Sequence, residues 1–283
     1  MTPLTDNEFK QLRSYIETSC GIALGDEKMY LVENRLVGLL AETGSASYSE
    51  LYLKAVGGQQ PGLRDKIIDA MTTNETSWFR DLYPFQLLEN VIFKQMTQEI
   101  STGVRKKIRI WCAASSTGQE PYSISMVLHE FARKNSVLPL QCTEITGTDI
   151  SSTVLFLAVA GRYDQIAMSR GMPQDIRDRY FVNSGKLWVL NDKIRKMVTY
   201  KKLNLQDNLS SLGKFDIVFC RNVMIYFSDA FKRELFSRFV SILNPGGILF
   251  LGASESVSNY SDKFTMVTNN RHIYYQLGKD GLK

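Results

Sequence analysis

Ile108-Arg109-Ile110-Trp111-Cys112-Ala113-Ala114-Ser115-Ser116-Thr117-Gly118-Gln119-Glu120-Pro121-Tyr122-Ser123-Ile124 passes from a short apolar block, through a loop of small residues, into a stretch that reads as a helix. In an open α/β sheet, ligands bind outside the carboxyl ends of the strands, often beside the first one. Small residues let a ligand approach the backbone closely, and the amides that open the next helix favour electron-rich groups. The loop has neither G-x-G-x-x-G nor G-x-x-x-x-G-K-[ST], which argues against dinucleotide and nucleoside-triphosphate sites. A tight turn chosen only for packing is the alternative at this point.

Outward from this loop, strand-like and helix-like segments alternate. Strands are predicted over 108–113, 142–148, 198–204, 215–220 and 247–252, followed by a late pair over 264–267 and 273–277. Alternation with helices implies a largely parallel sheet with helical crossovers. The late pair has no helix between its members, so a hairpin through 268–271 places an antiparallel edge on that sheet. Residues 162–195 read as a small insertion, with a helix-like run over 175–181 and the short turn Asn183-Ser184-Gly185-Lys186 leading into 187–190. The chain before residue 76 is different: helices are predicted over 5–19, 27–43, 47–56 and 63–71. Thr5 and Glu8 have capping-box spacing, and Gly44 suits the end of the second helix. The expected organisation is a helical domain over 1–75 and an α/β domain over 76–283.

Composition narrows the function classes. With 44% hydrophobic and 22% charged residues in 283, a folded chain is expected and a mainly disordered one is excluded. No apolar run approaches the roughly 18 residues that cross a bilayer, and Asp6 and Glu8 do not suit a secretory leader, so a cytoplasmic protein without membrane insertion is expected. Cys20, Cys112, Cys142 and Cys220 are scattered, and His129 and His272 lie far apart, so no metal is expected. Residues 1–73 hold 7 Lys/Arg against 10 Asp/Glu, whereas 162–202 hold 10 against 4, which concentrates the basicity in the insertion and just beyond it. Such a patch suits nucleic acid, a membrane surface or an acidic protein, or is simply a solvated face.

Asp149 ends the 142–148 strand, where a carboxylate can accept from both hydroxyls of a ribose. A helix N-cap is the other use of Asp at that position. Two more segments stand out: Phe215-Asp216-Ile217-Val218-Phe219-Cys220-Arg221-Asn222-Val223-Met224-Ile225-Tyr226-Phe227, and Thr72-Thr73-Asn74-Glu75-Thr76-Ser77-Trp78-Phe79-Arg80-Asp81. In this order and spacing, with the small-residue loop and Thr148-Asp149-Ile150, they make the chain resemble the chemotaxis receptor glutamate methyltransferases, the CheR family, over nearly its whole length. The resemblance implies an N-terminal helical domain and a class I S-adenosylmethionine-dependent methyltransferase domain with an inserted β-subdomain. It implies methyl transfer from S-adenosylmethionine to glutamates on the cytoplasmic helices of chemoreceptors, leaving S-adenosylhomocysteine. Carried over, it places Asn74, Thr76 and Arg80 at the donor's methionine end, Glu120 beside them and Asp149 on the ribose. Asn204 and Leu205 border the adenine, Arg221 and Asn222 close the pocket, and Arg80 with Tyr226 flanks the transfer point as the catalytic pair.

The residue chemistry agrees with that resemblance. A glutamate with a reference pKa of about 4.3 is ionised at neutral pH, so no general base is needed and a catalytic histidine is not expected. The sequence departs from the family's usual pattern in two places. The second helix carries Lys28 and Arg35 against Glu27, Glu33 and Glu42, fewer basic residues than is usual. The turn Asn183-Ser184-Gly185-Lys186 is shorter than in members that hold a receptor's C-terminal pentapeptide, so the tether-independent type is expected. A nucleic-acid methyltransferase lacks support, because Arg221-Asn222-Val223-Met224 stands where a base-handling Asn-Pro-Pro-Tyr motif would be. A non-catalytic scaffold would bind the donor without turnover.

Overall fold

The computed structural model describes residues 3–58, 60–135, 140–269 and 272–278. Four helices come first: α1 (Asp6–Cys20), α2 (Met29–Thr43), α3 (Tyr48–Val56) and α4 (Leu63–Met71). The capping box of α1 is complete, with Glu8 N–H donating to Thr5 Oγ1 and Thr5 N–H donating to Glu8 Oε2 at 3.0 Å. α2 starts two residues later than its periodicity suggests, because Asp26–Lys28 winds as a 3-10 turn, and it ends on Gly44 in the left-handed conformation. These helices bury a core of their own around Leu12, Ile16, Val32, Leu36, Leu51 and Ile67. Arg35 of α2 faces inward, donating to the carbonyls of Met71 and Thr72 at 2.6 and 3.2 Å, and so holds the segment that leaves the bundle.

The rest of the chain continues as α5 (Tyr83–Leu87), a π-helical turn Leu88–Ile92, α6 (Phe93–Ser101), β1 (Ile108–Ala113), α7 (Gln119–Lys134), β2 (Thr143–Asp149) and α8 (Ser152–Ala160). The insertion follows: β3 (Arg162–Asp164), α9 (Gln165–Ser169), α10 (Gln174–Tyr180), β4 (Phe181–Ser184), β5 (Leu187–Leu190) and α11 (Asp192–Arg195). Then come β6 (Val198–Lys202), β7 (Phe215–Cys220), α12 (Asp229–Ile242), β8 (Leu243–Leu251), β9 (Phe264–Asn269) and β10 (His272–Leu277). The seven-stranded sheet has the order β6-β2-β1-β7-β8-β10-β9. β6, β2, β1, β7 and β8 pair in parallel, and β10 runs antiparallel to both β8 and β9, which makes this the mixed sheet of a class I methyltransferase. The turn between β9 and β10 includes Asn270 and Arg271, which lie outside the described residues.

β7 is buried at every position, as a central parallel strand covered on both faces must be. Alternate residues feed two cores: Ile110, Ile217 and Phe219 on one face, Trp111, Val218 and Leu249 on the other. β8 begins earlier than its sequence suggests. Phe215 pairs with Leu243 and Ile217 with Ile248, so the Pro245-Gly246-Gly247 signal is absorbed as an irregularity inside the strand pair instead of ending it. The insertion is a three-stranded antiparallel sheet ordered β3-β5-β4, and β3 is too short to show a period in sequence. Part of the basic charge in and just beyond it is met by ion pairs: Arg179 with Glu130 of α7, and Arg195 and Lys196 with Asp192, at 2.7 to 3.0 Å. The parallel strands point their carboxyl ends at one rim, and the helical bundle is packed against that rim.

Candidate functional site

The loop after β1 is shaped by left-handed residues, Ala114 (φ 54°), Ser116 (φ 49°) and Gly118 (φ 93°). A Cβ at Gly118 would stand 2.6 Å from the Tyr200 hydroxyl, so glycine is required both by conformation and by space. Ser115 N–H donates to Thr148 O at 2.8 Å, and Ser116 Oγ donates to Asn74 O at 3.0 Å, which ties the loop to β2 and to the exit from the bundle. Asp149 accepts from Ser116 N–H on Oδ2 at 2.8 Å and from Ser151 N–H on Oδ1 at 3.0 Å. Ser151, not Asp149, caps α8, its hydroxyl accepting from Val154 N–H. Burial lifts the Asp149 carboxyl above its ordinary range, and the amides of Ser151 and Ser116 partly offset this. Each carboxylate oxygen keeps a further lone pair for a ligand.

At the end of β7, Arg221 is a buried strut. Its Nη1 donates to Glu120 at 2.8 Å, and its Nη2 donates to Asp81 Oδ2 at 2.6 Å and to the Arg80 carbonyl at 2.9 Å. Burial pushes the Glu120 carboxyl up, and the Arg221 charge opposes that shift. Phe79, Asp81 and Leu82 have φ of 47°, 63° and 49°, a costly conformation for residues with side chains. Arg221 holds this segment from one side, and Phe79 N–H donating to Ser123 Oγ holds it from another. The Arg80 side chain makes one long hydrogen bond, to Glu75 O at 3.4 Å. Tyr226 ends the 3-10 turn Met224–Tyr226, and its carbonyl accepts from Ala23 N–H at 2.8 Å.

One cavity brings these parts together. Asn74, Thr76, Arg80, Glu120, Asp149, Asn204, Leu205, Arg221, Asn222 and Tyr226 all line it, although they come from five separated segments. Asn204 is anchored by donating from Nδ2 to Ser19 O at 2.8 Å, and Leu205 is buried. Sequence reasoning did not supply Cys20 and Ile22, which close the cavity from the helical bundle, nor Ser115, Ile150 and Leu203. The Cys20 thiol donates to Ile16 O, and burial pushes it up to about 11, so it lines the wall as an inert group. Asn222 Oδ1 and Ser115 Oγ are buried without a protein partner. Native buried polar atoms are rarely left so, and both belong to residues lining the cavity. With an apolar side at Ile150, Leu203 and Leu205, and a charged side at Arg80 and Glu120, the lining fits a ligand with a flat base and a charged amino-acid end.

The chain matches the family described as CheR methyltransferase, SAM binding domain, over residues 74–273, and the CheR methyltransferase all-alpha domain over 7–72. The chain belongs to the CheR methyltransferase family. It is 44% identical over 270 residues to the chemotaxis protein methyltransferase Cher2 of Pseudomonas putida, covering 95% of this chain and 97% of that one. It is 43% identical over 281 residues to the chemotaxis protein methyltransferase of Vibrio parahaemolyticus, covering 98% of this chain and all of the other. As a CheR-family member it is an S-adenosylmethionine-dependent methyltransferase of chemotaxis. Among the described residues, no helix is long and apolar enough to cross a membrane, and no cluster of three His, Cys, Asp or Glu could hold a metal.

Proposed function

We propose that this CheR-family chain is a cytoplasmic protein-glutamate O-methyltransferase that esterifies glutamate side chains on the signalling helices of chemoreceptors. The observation that carries this reading is the state of Arg80: it lines the same cavity as Tyr226 with most of its donors uncommitted, and neither histidine lines it. A carboxylate acceptor is already ionised at neutral pH and needs alignment, not deprotonation. The forked guanidinium of Arg80 orients such an oxygen, and the Tyr226 hydroxyl adds one hydrogen bond. Too tight a grip would weaken the nucleophile, so both groups act by orientation. When bound, S-adenosylmethionine supplies a methyl group on a sulfonium sulfur. Asn74, Thr76 and Glu120 hold the amino-acid end of the donor, Asp149 accepts from the ribose, Asn204 and Leu205 border the base, and Arg221 and Asn222 close the pocket. The names of the relatives support a chemoreceptor as the acceptor.

The test is incubation with labelled methyl donor and receptor-containing membranes. A carboxyl methyl ester is base-labile, so label that survives base, or label on RNA, would refute the reading. Tyr226→Phe is expected to leave the affinity for S-adenosylhomocysteine within twofold and to lower turnover by about tenfold, the worth of one oriented hydrogen bond. A parallel fall in affinity and melting temperature would assign the ring to packing.

The acceptor is recruited without a tether. β4 and β5 pair as far as Ser184 with Leu187, leaving Gly185 and Lys186 as the tip of a tight turn. A peptide adding to this sheet needs an open edge and pockets for alternate side chains, and so short a turn offers little room. Removing a receptor's C-terminal tail should leave methylation rates unchanged. Micromolar binding of the isolated pentapeptide in calorimetry would contradict this.

A further inference from the structure

After β8 the chain turns back through Gly252, and the Glu255 carboxylate accepts four main-chain hydrogen bonds. Gly252 and Asn222 donate to Oε2 at 2.7 and 2.8 Å, and Val223 and Met224 donate to Oε1 at 3.0 and 2.8 Å. A carboxylate offers about four lone-pair positions, so these amides use its capacity. Three successive N–H groups converging on one anion form a nest of the kind that binds phosphate or carboxylate, and here the chain's own side chain fills it. Asn222 is held there at φ 58°, in the left-handed region. The fit is close, since a Cβ at Gly252 would meet Asn222 Nδ2 at 2.7 Å and Glu255 Oε2 at 2.8 Å.

The clamped turn is also a wall of the cavity. Asn222, whose buried Oδ1 has no protein partner, Val223 and Tyr226 line it, whereas Glu255 does not. Tyr226 N–H donates to Val223 O at 3.1 Å, so the tyrosine is carried on the same clamped backbone. We propose that Glu255 is a positioning residue for methyl transfer, fixing Asn222 for the donor and Tyr226 for the acceptor through the amides of 222–224. This rests on the reading of Asn222 and Tyr226 given above. Glutamine could not replace it, because its NH2 would face at least one donating amide where the carboxylate accepts.

The test uses the full chain with Glu255→Gln and Glu255→Asp, folded fraction and melting followed by circular dichroism, and affinity for S-adenosylhomocysteine measured by calorimetry. Glu255→Gln should melt cooperatively yet bind S-adenosylhomocysteine roughly tenfold more weakly or worse, as expected for amides left without an acceptor. Glu255→Asp should recover part of that loss. Turnover at saturating donor should fall at least as far, and adding Tyr226→Phe should cost little more, because coupled residues are not additive. Affinity and turnover within twofold of the parent, or losses that only track the folded fraction, would overturn the proposal. So would losses from Glu255→Gln and Tyr226→Phe that multiply independently. If Glu255→Gln does not fold, Glu255→Asp must show the same excess of binding loss over stability loss, or the proposal fails. The calorimetric arm needs no acceptor, so it decides the role of Glu255 even if the methylated group is not a glutamate.

Discussion

Arg80→Ala lowers kcat/KM for methyl transfer by roughly a hundredfold, the scale on which misplacement of a reacting group costs rate. Stability stays within about 0.5 kcal/mol, as for surface substitutions outside a network. The two halves of this expectation come from the same geometry. The Arg80 side chain makes one hydrogen bond, long at 3.4 Å, so its removal strands no buried hydrogen-bond partner, and Glu120, which also feels the Arg80 charge, keeps its ion pair with Arg221. Its backbone is another matter, because the carbonyl is held by Arg221 and the neighbouring residues sit at positive φ. That conformation persists in the alanine variant, since the strut grips the main chain. What disappears is the donor fork at the cavity. Arg80→Lys should fall between the two, keeping charge and losing the planar pair of donors. Full activity in Arg80→Ala would remove the residue from acceptor alignment, whereas loss of cooperative melting would show that its side chain is structural.

Asp149→Ala is expected to weaken S-adenosylhomocysteine binding by about 1–3 kcal/mol, roughly five- to 150-fold. Two losses add here. A ribose would lose a buried acceptor, and Ser116 and Ser151 would lose the carboxylate that fixes their amides. The second loss loosens the loop 114–118, whose left-handed residues depend on such anchors. Asp149→Asn keeps one acceptor oxygen and should lose less. Calorimetry that finds unchanged affinity in a folded Asp149→Ala would reduce Asp149 to an anchor for the turn into α8.

The sequence exposed what is local. The capping box at Thr5 and Glu8 follows from spacing and β7 from a run that is apolar apart from Asp216, and both lie where they were predicted. β8 was misjudged at its start because Pro245-Gly246-Gly247 is a turn signal that the neighbouring strand overrides. Site residues were less accessible. Spacing alone left Asp149 between a cap and a ligand acceptor; the structure gives the cap to Ser151 and leaves Asp149 buried in the cavity wall, accepting from the amides of Ser116 and Ser151. Arg221 was expected to close a pocket, and it does line the cavity, but its two Nη groups are committed to Glu120, Asp81 and the Arg80 carbonyl, leaving only Nε without a protein partner. Such pairings join residues about 100 to 140 apart, and no periodicity reports them. Cys20, Ile22 and Glu255 went unseen for the same reason. The first two come from a bundle whose own core explains them fully, and Glu255 follows a strand in a stretch that reads as an ordinary polar turn.

The dependence of the cavity on Glu255 also orders events in the life of the chain. The helical bundle is complete by Met71 and has its own apolar core, so it can form while synthesis continues. The cavity cannot, because its wall at 222–226 is unclamped until β8 and the residues just past it have been made. A chain cut short after α12 would carry the helices, the small-residue loop and Asp149, but no fixed seat for Asn222 and Tyr226. A ligand stabilises the state that binds it by mass action, so stabilisation by bound donor is expected of a chain that extends past residue 255 and not of one that stops short of it.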